Sequence, residues 1–177
     1  MDWDLKTLES WEERILEKAC AFGLSCYPAD FEICDQEQML GYMAYSGMPS
    51  HYPHWSFGKA FEKLKTLYHY GVSGLPYEMV INANPAIAYL MRDNTLCLQI
   101  LTMAHVFGHI DFFANNATFK TTDAKDVVAR CKIHADRVRG YLEDSSIGIE
   151  KGEPILNAAH ALQHQCRRNL MSPRLSR

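Results

Sequence analysis

The run Asn94-Thr-Leu-Cys-Leu-Gln-Ile-Leu-Thr-Met-Ala-His-Val-Phe-Gly-His-Ile-Asp-Phe-Phe-Ala-Asn-Asn116 decides how this chain folds. Asn94 or Thr95 opens a helix as its N-cap, and Asn115-Asn116 closes it. Between them Leu96, Leu98, Ile100, Leu101, Met103, Val106, Phe107, Ile110, Phe112 and Phe113 put apolar side chains on nearly every side. A helix apolar all round is a core helix, so the pattern predicts a buried segment at the centre of one domain. Two histidines interrupt it, His105 and His109, one helical turn apart and on one face.

Helical periodicity dominates the rest. Leu5, Leu8, Trp11, Ile15, Ala19 and Phe22 recur every three or four residues, and Gly23 supplies a stop. Asp35 with Gln38 forms a capping box ahead of a helix through Met39, Tyr42 and Met43. A turn-rich break over 46–54 precedes a helix from about Phe57 to Tyr70, carrying Phe61, Leu64 and Tyr68 on one face. Tyr77 to Asn82 is the one convincing strand, and Ala86 to Met91 reads as a short helix. Thr122 caps a helix with the inward stripe Val127, Cys131, His134, Val138 and Tyr141. After Gly148 to Pro154, a last helix aligns Ile155, Ala159, Leu162 and Cys166. The expected fold is mainly α (α+β): a single helical domain over 1–177, with a small sheet beside the central helix and a partly zincin-like layout.

Composition narrows the function. Of 177 residues, 47% are hydrophobic and 22% charged, as in ordinary globular proteins. Lys and Arg (18) nearly balance Asp and Glu (21), which argues against a nucleic-acid partner, since phosphate contacts need a concentrated basic surface. The tail with Arg167, Arg168, Arg174 and Arg177 reads as a frayed basic terminus. The acidic opening Met1-Asp-Trp-Asp4 is unlike a signal peptide, and polar residues interrupt every apolar run, so a cytoplasmic protein without a membrane span is expected. Six cysteines without a Cys-x-x-Cys pair fit reduced thiols.

The chemistry centres on the histidine pair. Two imidazoles one turn apart can converge on one divalent metal, at about 2.0–2.1 Å for zinc. Glu78, a carboxylate inside an otherwise apolar strand, is the third ligand expected, and His160 the fourth if it turns inward. His164 falls on the polar side of the same helix, while His54 lies in a loop that can approach the site and serve as a proton donor or charge stabiliser. Such a metal would turn a bound water into a nucleophile, with Glu78 or another acid as base. The residue after the first histidine, a general-base glutamate in zincin-type hydrolases, is here Val106. A non-catalytic adaptor with structural histidines stays open beside the hydrolase. The loop with His51, Tyr52, His54, Trp55 and Lys59 reads equally as a pocket cover or a packed connector.

Several blocks together resemble one family. Ala44-Tyr-Ser-Gly-Met-Pro49, His51-Tyr-Pro-His-Trp-Ser-Phe-Gly-Lys59, Pro76-Tyr-Glu-Met-Val-Ile-Asn82, Ala88-Tyr-Leu-Met91, Ala104-His-Val-Phe-Gly-His109 and Phe112-Phe-Ala-Asn-Asn116 resemble the SpoVR (stage V sporulation protein R) family. The resemblance runs from about Trp11 to His164 and its motifs include His54, Trp55, Glu78, His105 and His109. It implies a bacterial cytoplasmic protein of spore cortex formation or of stress physiology, with protein partners from such a pathway. It also implies a short form, lacking the C-terminal part that family members carry.

Overall fold

Three strands, six α-helices and a short 3-10 turn (Phe119–Thr121) form the regular structure of residues 3–163 and 165, the part of the chain that the computed structural model describes. In chain order these are α1 (Leu5–Ala21), β1 (Ala29–Cys34), α2 (Gln36–Ala44), α3 (Trp55–His69), β2 (Glu78–Ile81), β3 (Ala86–Met91), α4 (Leu96–Asn115), α5 (Val127–Glu143) and α6 (Gly148–Leu162). The mainly helical α+β architecture with a small sheet is thus as the sequence predicts. Strand β3 lies in the middle, parallel to β1 with Ala29 opposite Ala86, and antiparallel to β2 with Glu78 opposite Leu90.

The sheet corrects two sequence expectations. Ala86 to Met91 is the central strand and not a short helix: five of its six side chains are fully buried. A six-residue apolar run covered on both faces has no period to betray it, and Ala, Leu and Met bias the reading toward helix. Strand β1 (Ala29–Cys34) is not among the strands the sequence predicts, although Asp30 and Glu32 alternate with Phe31 and Ile33 as a half-buried strand should.

Alternation sorts the strands into two faces. Ala86 and Ala88 of β3 and Val80 of β2 pack on Val106, Phe107 and Ile110 of α4, with Ile15 of α1 beside them. Tyr89 and Met91 of β3 and Ile81 of β2 turn the other way, onto Met39 of α2 and the first turn of α5 at Val127 and Val128. The core is therefore three layers, with α1 and α4 on one side of the sheet and α2 with the start of α5 on the other.

Helix α4 begins at the N-cap Thr95, whose hydroxyl accepts from the Leu98 amide. Its inner face is Gln99, Thr102, Met103, Val106, Phe107 and Ile110. Its outer face corrects the buried-centre expectation: Leu101 is 62% and Phe112 53% exposed. α4 is long and apolar enough, by length and composition, to cross a membrane, but here its inner face is packed on the sheet and α1.

A polar clamp fixes α4 against the strands. The buried Gln99 amide donates to the Met91 carbonyl (2.9 Å), and Asn94 Nδ2 donates to Gln99 Oε1 (3.4 Å) and to the Tyr77 carbonyl (3.1 Å). Trp3 Nε1 closes the set on the Asn94 carbonyl at 2.8 Å. A leucine at Gln99 removes two buried hydrogen bonds, although the Met91 carbonyl keeps the Asn94 amide and Asn94 Nδ2 keeps the Tyr77 carbonyl. At about 0.5–1.5 kcal/mol each, Gln99→Leu is expected to cost about 1–3 kcal/mol in denaturant unfolding.

The C-terminal hairpin differs most from expectation. α5 starts five residues past Thr122, whose hydroxyl instead accepts from Asn82 Nδ2 (3.0 Å). His134 and Tyr141 are exposed, and Ala135 takes the inward position. α6 starts at Gly148 and runs through Pro154. A side chain at Gly152 would collide with Leu142, so the glycine permits the close α5–α6 crossing. The stripe at Ile155, Ala159 and Leu162 faces outward, while Cys166, His164 and the basic tail lie outside the described residues.

Candidate metal centre

Two periodicities build the site. Within β2, Glu78 lies two residues before Val80 and so shares the face turned to α4. Within α4, His105 and His109 are one turn apart on the flank nearest that edge strand. The two Nε2 atoms are 2.9 Å apart, one donating to the other, and Glu78 Oε1 is 3.7 Å from His105 Nε2. One ligand atom from each of Glu78, His105 and His109 falls within a 4.8 Å group.

These separations fit a shared ion. Two donors each about 2.0–2.1 Å from zinc cannot be more than about 4.2 Å apart. The His105–His109 and His105–Glu78 distances are below that limit, and the Glu78–His109 pair lies within 4.8 Å, so the three donors are close enough to converge once side chains adjust. Two imidazoles and a carboxylate form a set suited to zinc and to other divalent transition metals. His105 is the open side, its side chain 63% exposed, while that of Glu78 is only 19% exposed. A shallow depression of about 360 Å³ lined by Tyr77, Glu78, Leu98, Leu101, Thr102 and His105 adjoins the pair. Small apolar or amphipathic groups have room to approach an ion from that side.

Other sequence candidates lie elsewhere. His160 is not one of the group: its Nε2 is 2.7 Å from the Tyr52 hydroxyl and its ring stacks on His54 at 3.9 Å. It does turn inward, but onto the 51–57 segment, where α6 is laid. His54 caps α3 by accepting from the Ser56 amide, and its ring contacts are with that segment and α6. Asp111 accepts from the Ser25 amide at 2.7 Å, holding the turn after α1. Val106, at the zincin base position, is fully buried against the sheet. The sequence does not single out Ser56, which bonds both His54 and His160, or Asn157, which bonds His54 and Trp55. Asn157 stands one turn before His160, and that spacing was the available signal.

Comparison with known proteins places this chain in a family. The chain is 40% identical over 167 residues to the uncharacterized protein YcgB of Escherichia coli (strain K12), an alignment covering 92% of this chain and 32% of YcgB. The chain thus spans about a third of that relative's length. No solved structure matches it. The family model described as SpoVR like protein matches residues 2–177, the whole described fold and both histidine clusters included, and the chain belongs to that family.

Proposed function

We propose that Glu78, His105 and His109 hold one divalent metal ion, zinc by donor set, and that the site serves metal-dependent hydrolysis within a cytoplasmic stress or spore-cortex pathway. The observation that carries this reading is the convergence of a half-buried edge-strand carboxylate with two imidazoles from a separate helix. A metal with three protein ligands keeps a position for water and lowers its pKa to about 7. Val106 supplies no base, so Glu78 would combine its ligand role with proton acceptance, or a group from outside the described residues would take the proton.

A second reading, a binding module with a structural site, draws support from the apolar side chains that α4 and α6 leave in solvent, Leu101, Phe112, Ile155 and Leu162. Elemental analysis of protein purified without a metal-affinity tag separates a metal site from none. About one equivalent of metal is expected in the native protein and close to none in His105→Ala and His109→Ala, as loss of a ligand predicts. Native protein free of metal, and unable to take up added zinc, would sink the proposal. Solvent exchange at the bound ion then divides the two readings, since a catalytic site keeps a water and a structural one is closed.

A further inference from the structure

The second histidine cluster has a hydrogen-bond pattern that admits only one arrangement of protons. Trp55 Nε1 can only donate, and it reaches Asn157 Oδ1 at 2.8 Å, which fixes the amide oxygen there. His54 Nε2 is 3.1 Å from the same oxygen and must therefore carry a proton. His54 Nδ1 is then the acceptor, for the Ser56 hydroxyl at 2.6 Å and the Ser56 amide at 3.3 Å. With its proton committed, Ser56 Oγ accepts from His160 Nδ1 at 3.4 Å. His160 Nε2 is left to accept from the Tyr52 hydroxyl at 2.7 Å. In this arrangement both imidazoles are neutral and each of their ring nitrogens faces a complementary partner.

These bonds join distant parts of the chain. Asn157 and His160 belong to α6, which packs on α5, whereas Tyr52, His54, Trp55 and Ser56 belong to the loop and first turn of α3. The His54 and His160 rings lie face to face, with centroids 3.9 Å apart and planes 13° from parallel. We infer that this relay is a proton-sensitive latch that fastens the α5–α6 hairpin to the 52–57 segment and releases it on acidification.

A proton added to His54 Nδ1 would take the acceptor from the Ser56 amide, turn the Ser56 hydroxyl from donor to acceptor, undo the side-chain cap of α3 and set a cation at the positive end of a helix dipole. A proton on His160 Nε2 would meet the Tyr52 hydroxyl hydrogen and force it to rotate. Two protons would set two cations in stacked contact. Among the described residues the other polar and charged neighbours are these. His51 packs on Tyr52 and Phe57 and contacts the Tyr45 carbonyl, Arg139 of α5 reaches the His51 carbonyl, and Lys59 lies over Trp55. None is an acid that would welcome an imidazolium. In keeping with this geometry, burial and then the charges of His54 and His51 hold His160 below the ordinary histidine value, and burial lowers His51. A histidine whose folded value is depressed contributes stability above its ordinary value, and the contribution is lost as pH falls through the depressed one.

Hydrogen exchange of the full chain, corrected for intrinsic rates, tests the latch at about pH 7.5 and about pH 5, either side of the histidine range. Amides of α6 are expected to lose protection relative to α1 by up to about tenfold per pH unit for each proton taken up. The uncharged double variant His54→Asn, His160→Gln, which keeps a capping side chain on α3, should show no such acid response. Unchanged α6 protection in the native protein, or an undiminished acid response in the variant, would overturn the latch. Ring nitrogen spectra of the native protein guard against a variant that fails to fold. At neutral pH they should show the proton on Nε2 of His54 and on Nδ1 of His160, and the opposite tautomer on either ring equally defeats the idea.

Discussion

Glu78→Ala is expected to weaken zinc binding by more than about 100-fold, because partners that merely orient metal ligands are already worth about 10–100-fold. In the proposed centre Glu78 would be the one ligand that the helix does not supply, so its loss would leave two imidazoles on a single turn and remove the charge that offsets the ion. Glu78→Gln, similar in shape and uncharged, should fall between the native protein and the alanine variant. Titration against a competing chelator gives the affinities. Thermal unfolding adds an independent readout: zinc at about 100 times its dissociation constant should stabilise the native fold by about 2.7 kcal/mol and leave Glu78→Ala unmoved. Without metal the variant should unfold like the native protein, since the carboxylate's ion-pair partner is the exposed His105. If Glu78→Ala binds zinc as tightly as the native chain, the acid is no ligand and the centre is not as drawn.

Tyr89→Ala should be the most disruptive change in the core. Tyr89 is 1% exposed, stands in the middle of β3 and stacks on Tyr42 with centroids 3.8 Å apart. Burial, before the charge of Glu32, pushes its phenol up to about 12. Truncating a large buried aromatic costs about 3–5 kcal/mol, part of it lost transfer energy and part the cavity left behind. The denaturant midpoint should fall by that amount divided by the slope, with the slope itself unchanged. A loss under about 1 kcal/mol would be that of a surface site and would contradict a central β3.

The candidate centre was more legible than the sheet around it. The spacing of His105 and His109 on a helix is a local property, and so is an acid interrupting an apolar strand. What brings them together is the pairing of β2 with β3 and the packing of Val80 and Ala88 on α4, which is non-local but agrees with both periods. Strand β3 was obscured because burial on both faces erases alternation, and β1 because its short alternating run falls between two strong helix signals. The exposed flank of α4 was misjudged for a different reason. Leu101 and Phe112 are as apolar as the residues that pack, so composition could not say which side the sheet covers. The partners of His160 depend on a tertiary contact with Tyr52 and Ser56, over a hundred positions away in the chain, which no local pattern reveals.

The register joining Ala29 to Ala86 makes the parallel half of the sheet the hardest part to assemble. Strands β2 and β3 are neighbours in the chain and can zip up early, whereas β1 must wait until α2, α3 and β2 between them have been gathered in, at the entropic cost of closing a long loop. Until it arrives, one flank of a strongly apolar strand lies bare, with its amides and carbonyls free to recruit another chain. Refolding yield should therefore fall as protein concentration rises, and the losses should trace to late arrival of β1 rather than to any helix.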